Sequence, residues 1–69
     1  MNAQIFETSI KSEEEASYLL SLLRKNISDA LIQFNFKPGY SILTVKSNRE
    51  IAGIVYSLCN RQGVYCQQL

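Results

Sequence analysis

The sequence contains no histidine and no tryptophan, one proline and two cysteines, and its seven basic and six acidic residues leave a net charge of +1. Each shortage narrows the function. Without histidine the chain cannot build a His-based triad or general base of its own. The near-neutral charge gives no electrostatic reason to expect a nucleic acid or an anionic membrane as partner. The longest unbroken apolar run is far too short to span a bilayer. Met1-Asn2-Ala3-Gln4 lacks a basic start and Glu7 interrupts the apolar residues that follow, so no signal peptide is expected. The expected compartment is the cytoplasm, where both cysteines stay reduced.

What is present suits one small globular domain spanning residues 1–69, with 46% hydrophobic residues. The chain sits near the size at which one core barely suffices, since about 60 residues bury only ~60% of the surface that the unfolded chain exposes. Residues 3–10 alternate in strand fashion, with Phe6, Thr8 and Ile10 on one face and Ile5, Glu7 and Ser9 on the other. From Glu13 the period changes. Ala16, Leu19, Leu20, Leu23 and Ile27 form one stripe of an amphipathic helix over 13–26, widened by Tyr18 and Leu22. Ser12 and Glu15 make a capping box, in which the Ser12 hydroxyl accepts from the Glu15 amide and the Glu15 carboxylate reaches back to the Ser12 amide. Acidic residues at the start of the helix and Arg24-Lys25 at its end suit the helix dipole.

Residues 30–36 read as a second strand with Ile32, Phe34 and Phe36 on one face, and residues 41–46 as a third with Leu43 and Val45 inward. Lys37-Pro38-Gly39-Tyr40 between them is a turn that makes the pair an antiparallel hairpin. Ser47-Asn48-Arg49-Glu50 repeats the Ser-x-x-Glu spacing and is read as a second capping box. It opens a helix over about 48–62, with Ile51, Ile54, Val55, Leu58 and Cys59 as its apolar stripe and Gly63 just past its end. Residues 64–69 close as a fourth strand.

The fold class is therefore α+β, a ferredoxin-like βαββαβ sandwich. Its four-stranded antiparallel sheet has the order 4-1-3-2, with both helices on one face and the other face open.

Element order, length and the Ile10-Lys11-Ser12-Glu13-Glu14-Glu15 turn together resemble the heavy-metal-associated domain of copper chaperones and metal-pumping ATPases. Ile32-Gln33-Phe34-Asn35 is similar to that family's Val-x-Val-Asp strand, and Gly63-Val64-Tyr65-Cys66 to its Gly-Tyr-x-Val ending. The resemblance places the methionine of the family's Met-x-Cys-x-x-Cys loop on Ile10 and its two cysteines on Ser12 and Glu15. Copper(I) needs soft thiolates there, and a hydroxyl with a carboxylate is a hard pair. The residues account for themselves as a helix cap. No metal, cofactor or catalytic residue is assigned to this turn, and Glu13-Glu14-Glu15 point too far apart to converge on one cation.

Cys59 lies on the stripe of the second helix and Cys66 on the fourth strand, both expected to face the core as small hydrophobes. The outward positions of the two central strands carry no aromatic residue, against base stacking as in RNA-recognition domains. The topology is shared with amino-acid-binding regulatory domains, whose binding leaves no motif to check here. The open face should carry Ile5, Leu31, Ile42, Tyr65 and Leu69, a set large enough to mark an interaction site. The second strand should lie at a sheet edge with only Asp29 and Lys37 as guards. The expected function is a non-enzymatic interaction module that dimerises or binds a protein through the open face or that edge. The alternatives are copper or zinc handling through Cys59 and Cys66 or a partner's ligands, and a small-molecule regulatory domain.

Overall fold

The computed structural model describes residues 2–69, so Met1 lies outside the described residues. The elements run β1 (Asn2–Thr8), α1 (Glu13–Asn26), β2 (Leu31–Lys37), β3 (Tyr40–Ser47), α2 (Ala52–Arg61) and β4 (Cys66–Gln68). They form an α+β structure with one antiparallel sheet in the order β2-β3-β1-β4, compatible with a ferredoxin-like fold. The sheet order is the one expected, seen from its other side.

The alternation of β1 and β3 sets the two layers. Phe6, Thr8, Ser41, Leu43, Val45 and Ser47 are buried on one face. Against them pack Ala16, Leu19, Leu23 and Ile27 from α1 and its end, and Ile51, Val55, Leu58 and Cys59 from α2 and its start. Both helices thus share one core on one face of the sheet. The expected stripes hold, with Leu20 and Ile54 half-buried at their margins and Tyr18 exposed.

The α1 start is a true cap. The Ser12 hydroxyl accepts from the Glu15 amide at 3.2 Å. The return contact differs from the expectation: the Glu15 carboxylate accepts from the Ser12 hydroxyl at 3.3 Å rather than from the Ser12 amide. At the other end of α1 the Ile27 amide donates to the Leu23 carbonyl at 2.7 Å.

The second box is not formed, and α2 starts four residues later than expected. Ser47 belongs to β3, where it pairs with Asn2 and is fully buried, so it cannot also leave the strand as a helix cap. Its hydroxyl accepts instead from the Arg49 amide at 3.1 Å, turning the chain out of the sheet. The helix begins behind the buried Ile51, and the Glu50 carboxylate accepts from the Ala52 amide at 3.0 Å.

The α2 end follows the sequence closely. Gly63 takes φ +69°, the left-handed conformation that glycine adopts without Cβ strain. The Val64 amide donates to the Cys59 carbonyl at 2.9 Å and the Gly63 amide to the Asn60 carbonyl at 3.1 Å, which is the Schellman pair of bonds. Because Val64 serves this stop, β4 starts only at Cys66, two residues later than expected. Similarly β1 ends at Thr8 rather than Ile10, because the Thr8 hydroxyl accepts from the Ile10 amide at 3.2 Å and bends the chain. Ile10 still reaches the core.

Candidate interaction surface

The face of the sheet away from the helices is built by register. Side chains alternate along a strand, so the residues between the buried ones of β1 and β3 point to the open side. The rows across the sheet are Leu31–Lys46–Ala3, then Gln33–Thr44–Ile5, then Asn35–Ile42–Glu7–Gln67. The Leu69 amide donates to the Ile5 carbonyl at 2.8 Å and the Ser9 amide to the Tyr65 carbonyl at 3.0 Å. Those two bonds extend the β1–β4 pairing by one residue at each end.

All five residues expected on this face lie on it. Leu31, Tyr65 and Leu69 are 61%, 57% and 70% exposed, Ile5 is less so, and Ile42 is half-buried among its neighbours. The register sets Ile5 beside Leu69, which lies on the β4 edge, and diagonal to Ile42 on β3. It leaves Leu31 and Tyr65 at opposite ends, separated by polar residues. The set is therefore a small apolar cluster with two outliers rather than one continuous patch.

Sequence reasoning missed Tyr40, which it placed in the turn. Tyr40 opens β3 with the parity of Ile42, so it shares the open face with Ile42 and Tyr65. The signal was present in its spacing of two from Ile42. The Tyr65 hydroxyl is hydrogen-bonded to the Gln67 side chain, and the Ser9 hydroxyl accepts from the Tyr65 amide at 2.9 Å.

Beneath the sheet, Cys59 is buried and Cys66 half-buried against the same core, both as free thiols. The neighbouring Cys66 thiol holds the Cys59 thiol below the ordinary range against the opposing effect of burial. Cys59 in turn pushes the Cys66 thiol far up, and burial acts in the same direction. Among the described residues, no group of three or more His, Cys, Asp or Glu side chains could hold a metal ion. Ser12 and Glu15 are both exposed and engaged with each other in the cap.

One further polar site lies in the core. The Thr8 and Ser41 hydroxyls are 2.6 Å apart and both are buried, bridging β1 and β3 at the end near the α1 start. Among the described residues no helix is long and apolar enough to cross a membrane. Compared with known protein families and with curated proteins, the chain matches no family model and none of the curated sequences.

Proposed function

We propose that this chain is a non-enzymatic interaction module with a ferredoxin-like fold, resembling a heavy-metal-associated domain whose metal loop has become a helix cap. It works through protein contacts on the open sheet face. The observation that carries the reading is the helix-free face itself, with Ile5, Ile42 and Leu69 clustered across β3, β1 and the β4 edge and Leu31 and Tyr65 exposed at its ends. Ile5, Ile42 and Leu69 form a small apolar cluster on a face with no covering layer, a feature that interaction sites share. The element and strand orders support the family resemblance, and the Ser12–Glu15 cap supports the loss of its metal chemistry.

Backbone amide spectra recorded over a micromolar concentration series test this. Concentration-dependent shifts should gather on the open-face residues of β1, β3 and β4, and Ile42→Lys with Leu69→Lys should abolish them. A face whose amides are insensitive both to concentration and to these substitutions removes the reading of self-association through the open face.

Soft-metal handling is the second reading, favoured by the neighbouring free thiols of Cys59 and Cys66. Two thiols are the soft donors that copper(I) or zinc would take, with any further ligands supplied by a partner. Titration of the metal against a competing chelator decides it. Affinity no higher than that of the C59S/C66S variant ends the idea.

A further inference from the structure

We propose that a second copy of this chain pairs along β2 through a two-fold axis at Phe34, bringing α1 of each copy against α1 of the other. The site is the sheet edge and the helix layer beside it, so the proposal does not depend on the open face.

The two sheet edges differ. β4 has three residues, and its outward amide at Gln68 is already donated to the Tyr56 hydroxyl at 2.8 Å. β2 has seven residues and runs in unbroken register with β3, from Leu31↔Lys46 to Lys37↔Tyr40. It has no proline or bulge, and its one charge is the terminal Lys37, so it lacks the devices that usually blunt an edge. The two-residue turn makes Lys37 and Tyr40 a hydrogen-bonded pair, which directs the N–H and C=O groups of the odd residues of β2 toward β3. Ile32, Phe34 and Phe36 then present theirs to the free side.

The strand is complementary to itself. Only an antiparallel pairing centred on Phe34 matches every residue of β2 with another residue of β2. Phe34 meets its copy, Ile32 meets Phe36, Gln33 meets Asn35, and Leu31 meets Lys37. Apolar groups face apolar groups on the helix side, amides face amides on the open side, and no like charges are opposed. The contact uses the same patch on both copies and closes on itself, whereas β2 against β4 would propagate without end and β4 is too short for it.

The helix beside the edge carries a matching pattern. Glu13, Ser17 and Leu20 line a groove with Phe34 and Phe36, and Arg24 lines the surface beside Leu31 and Ile32. At i, i+4, i+7 and i+11 these four form one stripe along the β2 side of α1. The Glu13–Leu20 part of the stripe lies beside Phe34 and Phe36, and its Arg24 end beside Leu31 and Ile32. In the proposed pairing the two-fold axis at Phe34 sets the helices antiparallel and brings Glu13 toward the partner's Arg24 at both ends, with Ser17 and Leu20 between.

Sedimentation velocity of the full chain over a micromolar range tests the pairing, with circular dichroism to verify folding. A monomer–dimer equilibrium is expected. Glu13→Arg or Arg24→Glu alone opposes like charges at both ends of the helix contact and should weaken the dimer about tenfold or more. The E13R/R24E double variant restores opposite charges and should recover the dimer, although each change works against the helix dipole. Phe36→Lys, at an exposed edge position, should weaken the dimer as well, and Ile42→Lys with Leu69→Lys should leave it intact. A monomer throughout the range overturns the proposal, as does a double variant no better than the singles. Assembly lost only with the Ile42 and Leu69 changes places the contact on the open face and also overturns it.

Discussion

At the scale of single residues, the buried Thr8–Ser41 pair is the feature most exposed to substitution. Each hydroxyl satisfies the other away from water. Thr8→Val removes one partner, leaves the Ser41 hydroxyl and the Ile10 amide without theirs, and should cost about 1–3 kcal/mol. Adding Ser41→Ala to it should recover part of that loss, because an apolar pair leaves one fewer unpaired group. Urea unfolding of the two single variants and the double variant measures the coupling; strictly additive losses would contradict it. Asp29 gives a pH signature. Its carboxylate accepts from the Arg49 guanidinium at 2.8 Å, which holds its pKa below the ordinary value. A carboxylate depressed in the folded state contributes stability above its unfolded pKa and loses it as the pH falls through the folded one. Asp29→Asn should therefore lower the urea midpoint at neutral pH and converge with the parent in acid. The effect should be small and salt-sensitive because both partners are exposed.

At the scale of elements, the two helices differ at their starts. α1 has a serine cap, whereas α2 has no side-chain cap at Ile51 and relies on burial of that residue and on Glu50. Ser12→Ala should cost about 1 kcal/mol. Gly63→Ala should also destabilise, by about 1–2 kcal/mol, because alanine is strained at φ +69° even though nothing obstructs its Cβ. Thermal melts of both variants check this, and an unchanged midpoint for Gly63→Ala would be inconsistent with the Schellman stop. The difference between the starts also explains what the sequence made legible. Ser-x-x-Glu occurs before both helices, and spacing alone cannot tell a serine free to cap from one held in a ladder. Ser47 is held by its pairing with Asn2, a contact between distant parts of the chain that no local pattern reveals. Helical stripes, the Pro38-Gly39 turn and Gly63 were legible because each is a local property of backbone or periodicity. The open-face residues followed from parity once the strands were placed, and Tyr40 was missed only because it adjoins the turn. The closeness of the two thiols was not legible, since it depends on how α2 and β4 meet.

At the scale of the whole molecule, the placement of β1 governs how the sheet is assembled. β1 pairs with both β3 and β4, and its pairing with β4 joins Phe6 to Gln68 near opposite ends of the described chain. The β2–β3 hairpin, by contrast, closes around two residues. Joining distant segments costs more loop entropy than closing a short turn. The β1–β4 seam is thus the contact slowest to form. Time enters here as a property of topology: the hairpin belongs to the early part of folding, and the β1–β4 seam to the late part. Tyr56→Phe, which removes the hydroxyl that accepts the Gln68 amide, should speed unfolding and leave the folding rate nearly unchanged. Phe34→Leu, in the hairpin, should slow folding instead. Stopped-flow chevrons of the two variants separate the arms, and a Tyr56→Phe effect confined to the folding arm would reverse the order. The persistence of the native sheet is then set at its last seam to close, where a three-residue strand and one tyrosine hydroxyl hold the end of the chain.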